Sequence, residues 1–191
     1  EVTSDMRRKE KVINFGILYG MGVNALRANL GEDTSREEAQ EFLNAYFNTF
    51  TRLAEYLEET KGYARLEGCT KTLFGRRRYF PGITSSAPFI RAQAERMAIN
   101  APVQGTAADA MRIAMNEVYA YIKKGKRSEH VQMLMQVHDE LVFEIDESVL
   151  DKEVKKLKEI MEGVLTDEQT QGVPILVDVE VGKSWGDLEE I

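Results

Sequence analysis

The chain has a single cysteine, Cys69. That excludes an internal disulfide and fits a reducing compartment such as the cytoplasm. Its neighbours give no sign of a nucleophile or a metal site. No apolar run is long enough to cross a bilayer, and the opening EVTSDMRRKEK lacks the apolar middle of a signal peptide. No membrane partner is therefore expected. Repeats and low-complexity tracts are absent as well. So is any excess of positive charge: 25 Lys and Arg face 32 Asp and Glu, for a net charge of −7. Taken as an average, that balance argues against nucleic acid. The placement argues otherwise. Arg7, Arg8, Lys9 and Lys11 cluster, as do Arg76, Arg77 and Arg78, and Lys123, Lys124, Lys126 and Arg127. A phosphate backbone senses the local field rather than the sum, so overall acidity does not exclude DNA.

At 191 residues, 43% hydrophobic and 30% charged, the chain can bury a proper core in one or two lobes. It opens on Glu1 and not Met, which is expected of a processed chain or of a slice from a longer one.

Two stretches organise the rest. Read as a helix, residues 6–20 (MRRKEKVINFGILYG) set Arg7, Lys11, Phe15 and Tyr19 four apart along one stripe. Met6, Ile13 and Ile17 fall on the opposite side, where a core would take them. The stripe suits a ligand with negative charge at one end and a flat ring at the other; it would equally suit an exposed basic helix with two aromatics tucked under a neighbour. In the second stretch, residues 133–145 (MLMQVHDELVFEI), two β-prone runs flank His138-Asp139-Glu140 and read as a hairpin with the carboxylates at its tip. Adjacent carboxylates repel unless a cation lies beside them, and a hard divalent ion with oxygen ligands would serve. An ordinary acidic turn is the alternative.

Between and around these stretches the pattern is mixed. Gly20, Gly22 and Gly31 mark a turn and a short link. Ser35 and Glu38 form a capping box, and Ala39 to Leu57 repeats at three and four residues as a long amphipathic helix bent near Asn48 to Thr51, its aromatic stripe expected in the core. The helical period breaks over residues 63–80, and Gly68 and Gly75 flank a small hairpin ending in three arginines, which cannot all share one face: some should reach phosphates and others stay solvated. A helix from Pro88 to about Asn100 is expected to stop at Pro102, with Gln104-Gly105-Thr106 opening another that packs on a sheet and reaches about Lys124. Gln104 at that start could cap the helix or read base edges in a groove. Residues 149–164 form an amphipathic helix with Val154, Leu157, Ile160 and Met161 inward and a solvated Lys/Glu face, and residues 175–181 (ILVDVEV) alternate as a strand expected to pair with the acidic hairpin. The order gives an α+β arrangement.

RRxxKxxNFGxxYG followed by QVHDELVFE resembles motifs B and C of family A DNA polymerases, and TLFGRRRY and ERMAINAPVQGTAAD match the same family in the same order. The likeness runs from about Asp5 to the VEVGKSW near the C-terminus. It implies a helical fingers portion, residues 1–80, and a palm portion, residues 81–191, with a small antiparallel sheet carrying the motif C hairpin on helices. It implies template-directed transfer from a dNTP to a primer 3′-hydroxyl on primer–template DNA, with two Mg²⁺ ions. Asp139 would be the motif C metal carboxylate, with Glu140 supporting it and His138 at the primer terminus. Arg7 and Lys11 would meet the triphosphate, Phe15 the sugar, and Tyr19 the templating position. Arg78, Arg96, Asn100 and Gln104 would contact DNA. The family's other metal aspartate lies in a DYSQIELR-type motif, and these 191 residues hold no such segment. Alone, the chain is expected to be inactive and to need the missing N-terminal part of the polymerase. A single-subunit RNA polymerase shares the R…K…YG helix, but typically carries HDS in place of His138-Asp139-Glu140. A non-catalytic DNA-binding subunit is the reading from another class.

Overall fold

Thr3 starts the first helix: its hydroxyl accepts from the Met6 amide at 3.2 Å, so α1 spans Ser4–Leu18. In this computed structural model the described residues are 3–31 and 34–191, and the side chains of Ser4, Asp5, Arg8 and Lys9 lie outside them, including two of the first basic cluster. The described chain forms two compact units, residues 1–105 and 106–191.

In the first unit, α1 ends at Tyr19, and Gly20 turns the chain at a φ of 79°. The segment between Gly22 and Gly31 is more than a link. It is a helix, α2 (Val23–Leu30), held by Leu26, which is wholly buried. Val23, Leu26 and Leu30 do stand at helical spacing, but over little more than two turns between two glycines the signal is short. Ser35 and Glu38 make the reciprocal capping box that opens α3 (Arg36–Thr49). The bend is a full break at Phe50, after which α4 (Thr51–Glu67) runs on through residues whose period had looked broken. The aromatic stripe is only partly core: Phe42 and Phe50 are exposed, because Ala39, Leu57, Thr60 and Ala64 take the inner positions.

Gly68, at a φ of 69°, caps α4 and leads directly into β1 (Cys69–Lys71), which pairs antiparallel with β2 (Arg77–Tyr79). Next, α5 (Pro88–Lys124) is one helix with Pro102 inside it, against the expected interruption. Proline loses its own donor and crowds the carbonyl one turn back, but Ala98, Ile99 and Ala101 just before it and Ala114 and Val118 farther along are buried, and that burial outweighs the local cost. The unit's core joins Ala64 and Phe80 to Ile83, Ala94, Ala98 and Ala101. An ion pair, Arg65 to Glu95 at 2.7 Å, ties α4 to α5.

In the second unit, β3 (Val131–Val137) and β4 (Glu140–Ile145) form the expected hairpin, with a bulge between Met133 and Met135. Met133, Phe143 and Ile145 pack on Val118 and Ile122 of α5 and on Leu157, Ile160 and Met161 of α6 (Leu150–Glu162). Glu153 departs from the solvated face expected of α6: it is 3% exposed and accepts from the Tyr121 hydroxyl at 2.9 Å, with Arg127 at 3.6 Å. A short α7 (Asp167–Thr170) follows. The ILVDVEV segment does not join the hairpin. Its last two residues make β5 (Glu180–Val181), which pairs with β6 (Glu189–Glu190). Alternation dictates an extended backbone with two unlike faces, but it names no partner. The result is α+β: among the described residues, helices with three two-stranded antiparallel sheets. No helix of the described residues is long and apolar enough to cross a membrane.

Candidate functional site

The stripe on α1 is continuous. Lys11 Nζ lies 5.9 Å from the centre of the Phe15 ring, and Phe15 and Tyr19 stack with centroids 5.9 Å apart at 29°. Arg7 stands one turn earlier, exposed. Phe15 is 44% and Tyr19 41% exposed, so the aromatics are not tucked beneath a neighbour. Ile17, on the opposite side, is 1% exposed and anchors the helix; Ile13 is half-buried. Met6 fails to join them. It sits in the first turn at 57% exposure, before the helix meets the body of the unit.

The end of the stripe lies against α5. A Cβ placed on Gly20 would be 2.9 Å from Arg96 Cγ and 3.1 Å from Ile99 Cδ1. Glycine is needed twice over here, for the positive φ and for the close approach. The Tyr19–Gly20 turn and Arg96 are thereby neighbours. Because α5 is unbroken, Arg96, Asn100 and Gln104 follow at four-residue intervals along one helical row. Gln104 is consequently mid-helix and not at a helix start, and it cannot act as a cap.

Gln104 and Arg78 line a common cavity of about 200 Å³ with Thr70, Lys71, Thr72, Arg76, Ala101 and Gly105. The β1–β2 turn is pinned to α5 there: Arg76 Nη2 donates to the Gly105 carbonyl at 3.0 Å. A Cβ on Gly105 would lie 2.6 Å from Thr72 Cγ2. Arg78 holds its guanidinium 5.6 Å from the Phe80 ring centre. Thr70 and Lys71 belong to this wall and were not singled out from the sequence; their position in the TLFGRRRY-bearing hairpin was the available signal.

In the second unit, Val137 pairs with Glu140 across a two-residue turn made of His138 and Asp139. His138 takes a φ of 53°, and Gln136 Nε2 fastens the turn by donating to the His138 carbonyl at 2.9 Å. The turn leaves His138, Asp139 and Glu140 exposed at the tip, with carboxylates on two consecutive residues. These are the oxygen donors a hard divalent ion takes. Among the described residues no group of three or more His, Cys, Asp or Glu gathers. The pair therefore fits part of a ligand set rather than a whole one.

Comparison with known proteins agrees with these features. The sequence model described as "DNA polymerase family A" matches residues 1–187. The thermostable DNA polymerase I of Thermus filiformis is 42% identical over 184 residues, covering 96% of this chain and 21% of that protein. DNA polymerase I of Bacillus caldotenax is 40% identical over 189 residues, covering 99% of this chain and 21% of that protein. The chain thus spans about a fifth of the length of these curated relatives. Among solved structures, the POL domain of Pol1 from M. smegmatis, in complex with DNA primer-template and dNTP, superposes with a TM-score of 0.80 at 38% identity, covering 87% of this chain and 29% of that one. With a family match over nearly every residue and the fold to go with it, the chain belongs to DNA polymerase family A.

Proposed function

We propose that the chain is a working part of a template-directed DNA polymerase, with residues 1–80 serving as the fingers portion and residues 81–191 as the palm portion. The observation that carries this reading is the pair Asp139 and Glu140, consecutive and both exposed, where a two-residue turn meets its strand. An acidic turn with a purely structural role would gain by separating its charges or pairing them.

Asp139 and Glu140 would hold divalent metal, Mg²⁺ being the usual ion beside phosphates. Bound metal would supply the charge that activates the primer hydroxyl and offsets the phosphates. The remaining work belongs to the chain's own side chains. Arg7 and Lys11 neutralise the triphosphate of a dNTP. Phe15 lies against its sugar and excludes substituents by shape. Tyr19 stacks at the templating position and moves as the helix closes. Arg96, Asn100 and Gln104, one row on α5, follow the duplex with Arg78, and His138 meets the primer end. The M. smegmatis relative, bound to primer-template and dNTP, supports this set of partners. The other metal carboxylate must come from outside these 191 residues.

The test is primer extension with the chain alone and with an added segment carrying a DYSQIELR-type motif. The pair should extend primers and the chain alone should not. In the reconstituted enzyme, Asp139→Ala should reduce extension by at least about a hundredfold while leaving DNA affinity within about twofold. Normal extension by that variant would remove the metal assignment.

A further inference from the structure

The β1–β2 hairpin has a second face, whose residues alternate with Thr70 and Arg78; Lys71, on that face, also borders the cavity. In the antiparallel register Cys69 lies opposite Tyr79, and Lys71 lies opposite Arg77. Alternate residues share a face, so Lys71, Arg77 and Tyr79 stand together above the buried Cys69. Tyr63, from the last turns of α4, joins them: Lys71 Nζ is 5.6 Å from the centre of its ring. Two cations and two rings are thus interleaved on one small surface. Both rings are open to solvent, Tyr79 at 63% and Tyr63 at 37% exposure.

Two features of this quartet need a ligand to explain them. Like charges placed directly opposite on neighbouring strands destabilise a hairpin, and here a lysine faces an arginine on a ladder of only three pairs. Neither cation pairs with a carboxylate among the described residues, although acids outnumber bases in the chain as a whole. The patch is a local reversal of the chain's charge, kept at some cost in stability. Exposed tyrosines beside unpaired cations match a strand whose phosphates and base faces are both free. A duplex offers phosphates but hides its base faces in the stack; a single strand offers both.

We propose that the Tyr63–Lys71–Arg77–Tyr79 face binds single-stranded DNA, specifically the unpaired template strand next to the primer–template duplex. This rests on the polymerase reading above. A base stacks on the Tyr79 ring, the neighbouring base rests against Tyr63, and Lys71 and Arg77 neutralise the phosphates between them. Binding here is indifferent to sequence, since every base has a face to stack.

The experiment compares binding of the chain to a DNA hairpin that is blunt and to the same hairpin bearing a 5′ overhang of about 12 nucleotides, by fluorescence anisotropy. The overhang should tighten binding about tenfold. Tyr79→Ala and Tyr63→Ala should each remove most of that gain without weakening the blunt hairpin, Tyr79→Phe should keep it, and Lys71→Gln should lower the salt dependence of overhang binding alone. A second measurement needs no variant: 5-iodouracil in the overhang should photo-crosslink to Tyr79 or Tyr63, and the same base in the duplex should not. An overhang that adds nothing, a gain that survives both alanine variants, or crosslinks confined to the duplex would overturn the inference and leave the polymerase reading standing. Failure to bind either hairpin would overturn both.

Discussion

Gly20 shows how much a single residue decides. Its φ of 79° is one that L side chains adopt at a cost, and the space where a Cβ would sit is taken by Arg96 and Ile99. Gly20→Ala should therefore destabilise the chain by about 1–2 kcal/mol, read from urea unfolding. Lys11 is the opposite case, a residue whose work is at the ligand. It is exposed, with its ammonium 5.9 Å from the centre of the Phe15 ring, so Lys11→Ala should leave stability unchanged within about 0.5 kcal/mol. In the reconstituted polymerase it should raise the KM for dNTP about tenfold, measured by steady-state extension. Much at this scale could be read from the chain alone. The Ser35–Glu38 box, the stripe from Arg7 to Tyr19 and the inward Ile17 all follow from spacing within one helix. Met6 and Glu153 do not. Whether Met6 is covered depends on what lies beyond the first turn, and Glu153 is buried because Tyr121 and Arg127, far off in sequence, close over it.

Among elements, the β3–β4 hairpin carries its own fastening. At its base the Asp146 amide donates to the His130 carbonyl at 2.8 Å, and His130 Nδ1 approaches Asp146 Oδ2 at 3.4 Å. The same carboxylate accepts from the Ser148 amide and hydroxyl at 2.8 and 2.7 Å. The Ser148 hydroxyl and amide, then His130, hold the Asp146 pKa below its ordinary 3.8. A carboxyl whose folded pKa is depressed stabilises the protein above its unfolded value, and that contribution fades as pH falls through the folded one. Asp146→Asn should accordingly flatten the loss of stability below about pH 4 relative to the parent chain, with urea midpoints measured from pH 7 to pH 2 as the check. The hairpin was evident from composition because a polar interruption of strand residues has few other solutions. Helix α5 was not. A proline signals a break only where nothing else holds the helix, and here the burial of Ala98, Ile99 and Ala101 before Pro102, and of Ala114 and Val118 farther on, holds it, which is what keeps Arg96, Asn100 and Gln104 in one row. The tail was misjudged for a related reason: hydrogen bonding to Glu190 and not to the hairpin is a choice of partner, and alternation carries no information about partners.

At the scale of the whole molecule, the described residues form two core clusters and not one. Ala64, Phe80, Ile83, Ala94, Ala98 and Ala101 form the first, and Val118, Ile122, Val131 and Leu157 the second. Local stability should differ between them. Leu157 is 4% exposed, and Leu157→Ala should cost about 2–4 kcal/mol. Amide hydrogen exchange should localise that loss to residues 131–162 and leave the protection of residues 36–67 nearly intact. An equal loss in both regions would mean that the cores fold as one.

The amino-acid sequence by itself determined the family, the α+β class, the caps and the carboxylate-tipped hairpin, since each depends on residues close together in the chain or on motifs of fixed spacing. Only the tertiary structure decided that α5 passes Pro102 unbroken, that Gly20 sits on Arg96, and that Glu153 is buried. It also set two rings and two cations on one face of the small hairpin. Those outcomes turn on which surfaces meet across long stretches of chain, and burial there outweighs the local preferences that a sequence displays.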